Sequence, residues 1–287
     1  TSHAEADTGG GAPARPGFRG RGRRGVLVTV TDSHGDTVAV DSSAPGLRGI
    51  NRFVWSLRYE GPTRLTFERP TPGQGENPFR RGGGPRVIPG AYTVTLRAGE
   101  HTDTATVMVE PDPILRGDPA AFRAQLQAAL ELRNQVSALN EMLNRISSLQ
   151  SQLQNIQQTL RAVGADSAAG PVEREARGLG RALKQLKDSL YNSEVQRGGQ
   201  DDIHYLSRFQ DQLQGLSFGL GFAYAQPPSE PVLDEWKGLK TRLDAYLAQF
   251  NGMLEKDVAQ FNTLAQTHQA PTLVGGEPIR IQPIPLH

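Results

Sequence analysis

From Asp118 to about Val163 the chain contains no glycine and only one proline, Pro119 at its start. Leu132, Val136, Leu139, Leu143 and Ile146 recur there at alternating four- and three-residue steps. After one shortened step the series resumes through Leu149, Leu153, Ile156, Leu160 and Val163. Such a period places the apolar residues on one side of an α-helix. Asp118 suits the N-cap and Pro119 the first helical position, whose N–H has no intrahelical acceptor. About 45 residues at 1.5 Å each make a rod of roughly 65–70 Å. A rod cannot cover its own stripe, so other helices must pack along it.

The later stretches supply those helices. Val172, Ala176, Leu179, Leu183, Leu186 and Leu190 keep heptad-like spacing after the Gly164–Gly170 break. A shorter helix is predicted from Asp201, using Ile203, Leu206, Phe209, Leu213 and Leu216. Pro227 and Pro228 break the chain, and a last helix runs from about Pro231 to Gln266. Its inward set is Val232, Trp236, Leu239, Leu243, Leu247, Phe250, Leu254, Val258 and Phe261. Long, short, short, long reads as an elongated antiparallel helical bundle over 112–268.

Before Pro111 the period is two. Val26, Val28 and Val30 lead through a Ser33–Asp36 turn into Val38 and Val40. Asn51 to Tyr59 reads as the strongest strand, with Phe53, Trp55, Leu57 and Tyr59 on one face and Arg52, Ser56 and Arg58 on the other. Tyr92, Val94 and Leu96 alternate again, then Ala105, Val107 and Val109. Short alternating strands with Gly/Pro turns predict an Ig-like antiparallel β-sandwich over 25–111. The fold class expected is therefore all-β plus all-α. The 69–89 stretch within the sandwich is a long Pro/Gly loop, either a docking element through Phe79, Arg80 and Arg81 or an inert insertion.

Two further stretches stand out. Leu216 to Ala225 is apolar, with Phe218, Phe222 and Tyr224; it reads as a helix end or as a contact patch for a partner or lipid surface. The tail, 269–287, alternates prolines with Ile279, Ile281 and Ile284; it should be extended, fraying or lying in a partner's groove. Residues 1–24 form a flexible Gly/Arg-rich lead-in. The Arg19–Arg24 run reads as a solvated linker, since one Phe offers little stacking and the 31 basic and 30 acidic residues leave a net charge of +1. No nucleic-acid partner is expected.

Asn51–Tyr59 with the two residues before it (Gly-Ile-Asn-Arg-Phe-Val-Trp-Ser-Leu-Arg-Tyr) resembles the GxNRFxWDLRY signature of large bacterial exported proteins of the sortilin-like, BNR-repeat "glycosyl hydrolase" type. Pro85–Val94 resembles their GPxxxPGxYxVxL strand entry, Pro111-Asp112-Pro113 their hinge, and Asp257–Asn262 the DxxxFN of their last helix. The resemblance spans roughly residues 25–265 and implies the region that follows their β-propeller, an Ig-like domain plus helices. The propeller itself is missing from this chain, and Ser56 stands where the family has Asp.

Catalytic chemistry is not legible. Glu60, Glu68 and Glu76 have no paired geometry for glycoside hydrolysis. The six histidines are scattered without a metal-binding spacing, cysteine is absent, and no run is long enough to cross a bilayer. No cofactor, metal or catalytic residue is assigned. Residue 1 is Thr, which reads as a processed chain or a part of a longer one. The expectation is a non-catalytic, exported interaction or scaffolding subunit, periplasmic or at the cell surface. It would bind protein partners, its own copies or a membrane-anchored assembly, with peripheral membrane contact as a further option. The alternative is an accessory carbohydrate-binding region of a propeller enzyme, which glycan binding lost on substitution of Trp55 or Phe79 would favour, although the aromatic face of Trp55 reads first as sandwich core.

Overall fold

The computed structural model describes residues 25–67, 83–114, 118–162, 170–192, 207–222 and 226–284. Four strands form one antiparallel sheet: β1 (Val26–Thr31), β2 (Thr37–Ala44), β3 (Gly90–Ala98) and β4 (His101–Val109), in the order β2-β1-β3-β4. Asp32 builds the β1–β2 turn, its Oδ1 accepting the amide N–H groups of His34 and Asp36 at 2.9 and 3.0 Å. This is the local capture of backbone donors that favours Asp in turns. Val26, Val28 and Val30 are buried as their alternation requires.

The expected Asn51–Tyr59 strand is not laddered. The described residues form a single sheet, and 51–59 runs beside it as irregular chain with one bridge, Arg58 to Arg86. Leu57 explains the failure. It has a φ of 55°, a left-handed conformation that breaks strand alternation and is uncommon for a branched residue. Leu57 consequently turns outward, 44% exposed, and does not join Phe53, Trp55 and Tyr59. Those three still pack onto the sheet. Trp55 and Tyr59 meet Val30, Val38, Val87 and Tyr92, with Trp55 edge-on to Tyr92 at 5.2 Å between ring centroids. Phe53 meets the Val26–Val28–Ala44 cluster. Trp55 Nε1–H donates to the Arg58 carbonyl at 3.1 Å, so its polar end is satisfied inside the loop.

Burial pushes the Tyr92 phenol up from its ordinary value of 10.0 to about 12, and raises that of Tyr59 as well. A phenol raised on folding favours the folded state below the unfolded value and loses that contribution as pH passes the folded one. The β-rich part is therefore stable below about pH 10 and weakens from there towards pH 12. Ultraviolet titration should show two tyrosines ionising together with loss of the Trp55 near-ultraviolet signal. If both ionise near pH 10 in folded protein, the packing described here is wrong.

Helix α1 (Pro119–Ala162) has 44 residues, about 66 Å at 1.5 Å each. Asp118 caps it, accepting the Ala120 amide at 3.0 Å. The whole stripe from Leu132 to Leu160 is buried. Helix α2 (Gly170–Leu190) runs back along its C-terminal half, with Glu173 beside Arg161 and Lys187 beside Ser147. Helix α3 (Phe209–Phe222) covers the N-terminal half, Gln125 reaching the Leu220 carbonyl. The start expected at Asp201 lies outside the described residues. The last helix comprises α4 (Glu230–Met253), a π-helical turn (Leu254–Val258) and α5 (Ala259–Thr267). It runs parallel to α1, since Trp236 meets Gln135 and the following residues continue in the same direction. The two consecutive four-residue steps Phe250–Leu254–Val258 coincide with the π turn, whose wider winding keeps these side chains inward. One continuous core joins all these helices.

Candidate functional site

Among the described residues, polar side chains along α1 and the last helix hold two extended segments of the same chain by their backbone. The first segment, residues 60–67, leaves the sheet and follows α1. Asn140 Nδ2 donates to the Thr63 carbonyl at 2.7 Å, and the Thr63 amide donates to Ser137 Oγ at 3.1 Å. Asn144 accepts the Thr66 amide at 2.8 Å and donates to the Arg64 carbonyl at 2.8 Å. Arg133 reaches the Glu60 carbonyl at 3.1 Å. Phe67 ends the segment edge-on to Tyr191 at 5.2 Å, with the Lys187 ammonium 4.0 Å from its ring centre. Burial pushes the Lys187 pKa down, while neighbouring Asp188 opposes that shift. Residues 133, 137, 140 and 144 share one helix face because they are three or four apart.

The second segment is the tail after α5. Asn262 pairs with both backbone groups of Leu273, accepting its N–H at 2.7 Å and donating to its carbonyl at 2.9 Å. Asn251 does the same to Ile279, at 2.9 Å each way. Gln152 accepts the Val274 amide at 2.8 Å. Arg145 donates to the carbonyls of Gly275 and Glu277, and Asn134 donates to that of Gln282 at 2.9 Å. The tail thus occupies a groove between α1 and the last helix, antiparallel to both. Leu273 and Ile279 are its buried anchors, and Ile281 packs half-buried beside them. Against the expectation of a tail that frays or lies in a partner's groove through Ile279, Ile281 and Ile284, the groove it occupies is formed by its own chain. Ile279 is only 3% exposed inside this chain's own core, and Ile284 is half-buried. The physical reason is that the carboxamides satisfy an extended backbone which has no neighbouring strand.

The other expected contacts are dispersed. Phe79, Arg80, Arg81 and Tyr224 lie outside the described residues, as does the side chain of Phe222. Phe218 projects from α3, 57% exposed. Beside that helix a small crevice is lined by Pro85–Ile88, Phe122, Gln125 and Leu220. A second apolar surface was not foreseen. Leu47, Ile50, Val54 and Leu57 stand out of eleven consecutive residues, Ile50 fully and Val54 70% exposed. The legible sign was Ile50 and Val54, out of phase with Phe53 and Trp55, since a segment covering a sheet on one side must show its other side; Leu57 is in phase and is exposed only because of its left-handed backbone.

Among the described residues no group of three or more His, Asp or Glu side chains could hold a metal, and no helix is long and apolar enough to cross a membrane. The carboxamide groove can bind an extended polypeptide through its main chain; it presents no paired acid and base. Comparison with protein-family models, with curated proteins and with solved structures finds no match to this chain.

Proposed function

We propose that this chain is a non-catalytic interaction or scaffolding subunit of exported type, acting at a periplasmic or cell-surface location on protein partners. On this reading the β-rich part is a small Ig-like sandwich whose second layer is the Phe53–Tyr59 segment. The helices form an elongated antiparallel bundle that serves as its stalk. The resemblance of Gly49–Tyr59 to the exported sortilin-like proteins supports the location. The observation that carries the proposal is that Leu47, Ile50, Val54 and Leu57, within eleven residues, all stay in solvent while Phe53, Trp55 and Tyr59 pack half-buried against the sheet. Clustered exposed apolar residues of this kind mark protein contacts. Trp55 packs half-buried and edge-on to Tyr92, which supports a packing role for it over a sugar contact.

The paired substitution Ile50→Glu and Val54→Glu tests this. Both side chains are exposed, so thermal stability should change by less than about 0.5 kcal/mol. Crosslinking in an extract of the source envelope should then lose, by about tenfold or more, the partner bands that the unsubstituted chain forms, since burying a charge in an apolar contact costs at least 1.4 kcal/mol. Unchanged bands would remove the surface from consideration.

A further inference from the structure

The groove that holds the tail is cut for one particular sequence. Between the anchors Leu273 and Ile279 the tail reads Val-Gly-Gly-Glu-Pro. Gly276 has a φ of 74°, and a β-carbon there would stand 2.5 Å from Arg145 Nη1. A β-carbon on Gly275 would press on Leu254 and Val258 at 3.3 and 3.5 Å. Left-handed backbone beneath a guanidinium favours glycine strongly. The groove therefore reads main chain through Asn251, Asn262 and Gln152 and selects sequence through the two anchors and the glycine pair. The peptide that meets all these demands is this tail.

The connection between α5 and the tail is short and strained. The Gln269 amide donates to the Gln266 carbonyl and the Ala270 amide to the Ala265 carbonyl, the paired bonds of a Schellman C-cap. The left-handed residue of that cap is Gln269, with φ 54°, where glycine is the usual choice. Pro271 follows at once and biases Ala270 towards extended backbone. Five residues, 268–272, thus reverse the chain at a strained left-handed position. Short hinges of this kind favour exchange of an identical element between two copies.

We propose that the tail, residues 273–284, exchanges reciprocally between two copies of this chain. Each copy's groove then takes the other's Leu273-Val274-Gly275-Gly276-Glu277-Pro278-Ile279. Every groove contact is kept in the exchanged pair, and the left-handed strain at Gln269 is released in both copies. This goes beyond the partner surface at Leu47–Leu57, which lies in the β-rich part.

Two full-length variants test it. Ile279→Asp spoils the tail and leaves the groove; Asn251→Ala with Asn262→Ala spoils the groove and leaves the tail. Circular dichroism confirms that each keeps its helices. Mixed in equal amounts, the two should give a one-to-one dimer in native mass spectrometry, at least about tenfold above the dimer of either alone. Adding Gln269→Gly to the tail-donating variant should lower that yield several-fold. A labelled peptide of residues 271–284 should bind the Ile279→Asp chain, and about tenfold more weakly when it carries Gly276→Ala. A mixture that stays monomeric overturns the exchange, even if the peptide binds. Unsubstituted chains in light and heavy isotope, mixed below their unfolding temperature, give a second reading. Mixed dimers support the exchange and their absence refutes it.

Discussion

Replacing Leu143 by alanine is expected to destabilise the helical part by about 3–5 kcal/mol. Leu143 is completely buried at the middle of α1, where α2, α3 and the last helix enclose the same core. Losing its branched end removes transfer free energy and leaves a cavity. Fully buried Leu183 of α2, Phe209 of α3 and Phe250 of α4 belong to that core, together with Met142 and Ile146 of α1 itself. Because the walls come from separate rigid helices, collapse is limited and the cost falls in the upper part of the usual Leu→Ala range. Thermal unfolding followed by helix dichroism should shift down on the order of 10 °C for a unit of this size. Gln154→Ala, on the exposed side of the same helix, is the control and should move stability by less than about 0.5 kcal/mol. Equal small shifts for the two variants would mean that α1 is not enclosed along this stripe.

Asn262→Ala is expected to loosen the tail without loosening the helices. Asn262 is the partner of both the N–H and the carbonyl of Leu273. Deleting the carboxamide leaves two main-chain groups unpaired, at about 1–3 kcal/mol each if they stay buried. They need not stay buried, because the tail can lift away into water; the loss is then capped by the tail's own docking free energy. Amide hydrogen exchange at Leu273 and Ile279 should accelerate by about 10–100-fold, or 1.4–2.8 kcal/mol, while the core amides of α1 keep their protection. Asn262→Asp retains an acceptor for the Leu273 N–H and turns the other contact from attractive to repulsive, so it should lie no closer to the unsubstituted chain than Asn262→Gln. Unaltered exchange at Leu273 in Asn262→Ala would show that the carboxamide does not hold the tail.

Asn262 also shows where the sequence could have been read further. Asn134, Asn140, Asn144, Asn251 and Asn262 all lie inside helices, although Asn is among the weaker helix formers. Each of the five donates a hydrogen bond to a backbone carbonyl of an extended segment. A residue that costs helix stability at five positions beside apolar stripes is a sign that the stripe has a polar margin to serve. What lies on that margin is not encoded in the spacing. The Leu57 kink was hidden for a different reason: alternation of apolar residues continued through it, and only the backbone angle departed from it.

Periodicity marked the helices of this chain, because a helical stripe depends on neighbours within four positions; for strands it held at β1 and failed at 51–59, since a ladder also needs a distant partner. The stripe of α1, its Asp118 cap and the valines of β1 follow from that local rule. Only the tertiary structure decided where the extended segments go. Asn134 meets Gln282 across 148 residues and Asn144 meets Arg64 across 80. A carboxamide binds any main chain equally well, so the choice falls to whichever segment the surrounding anchors and chain connections bring within reach.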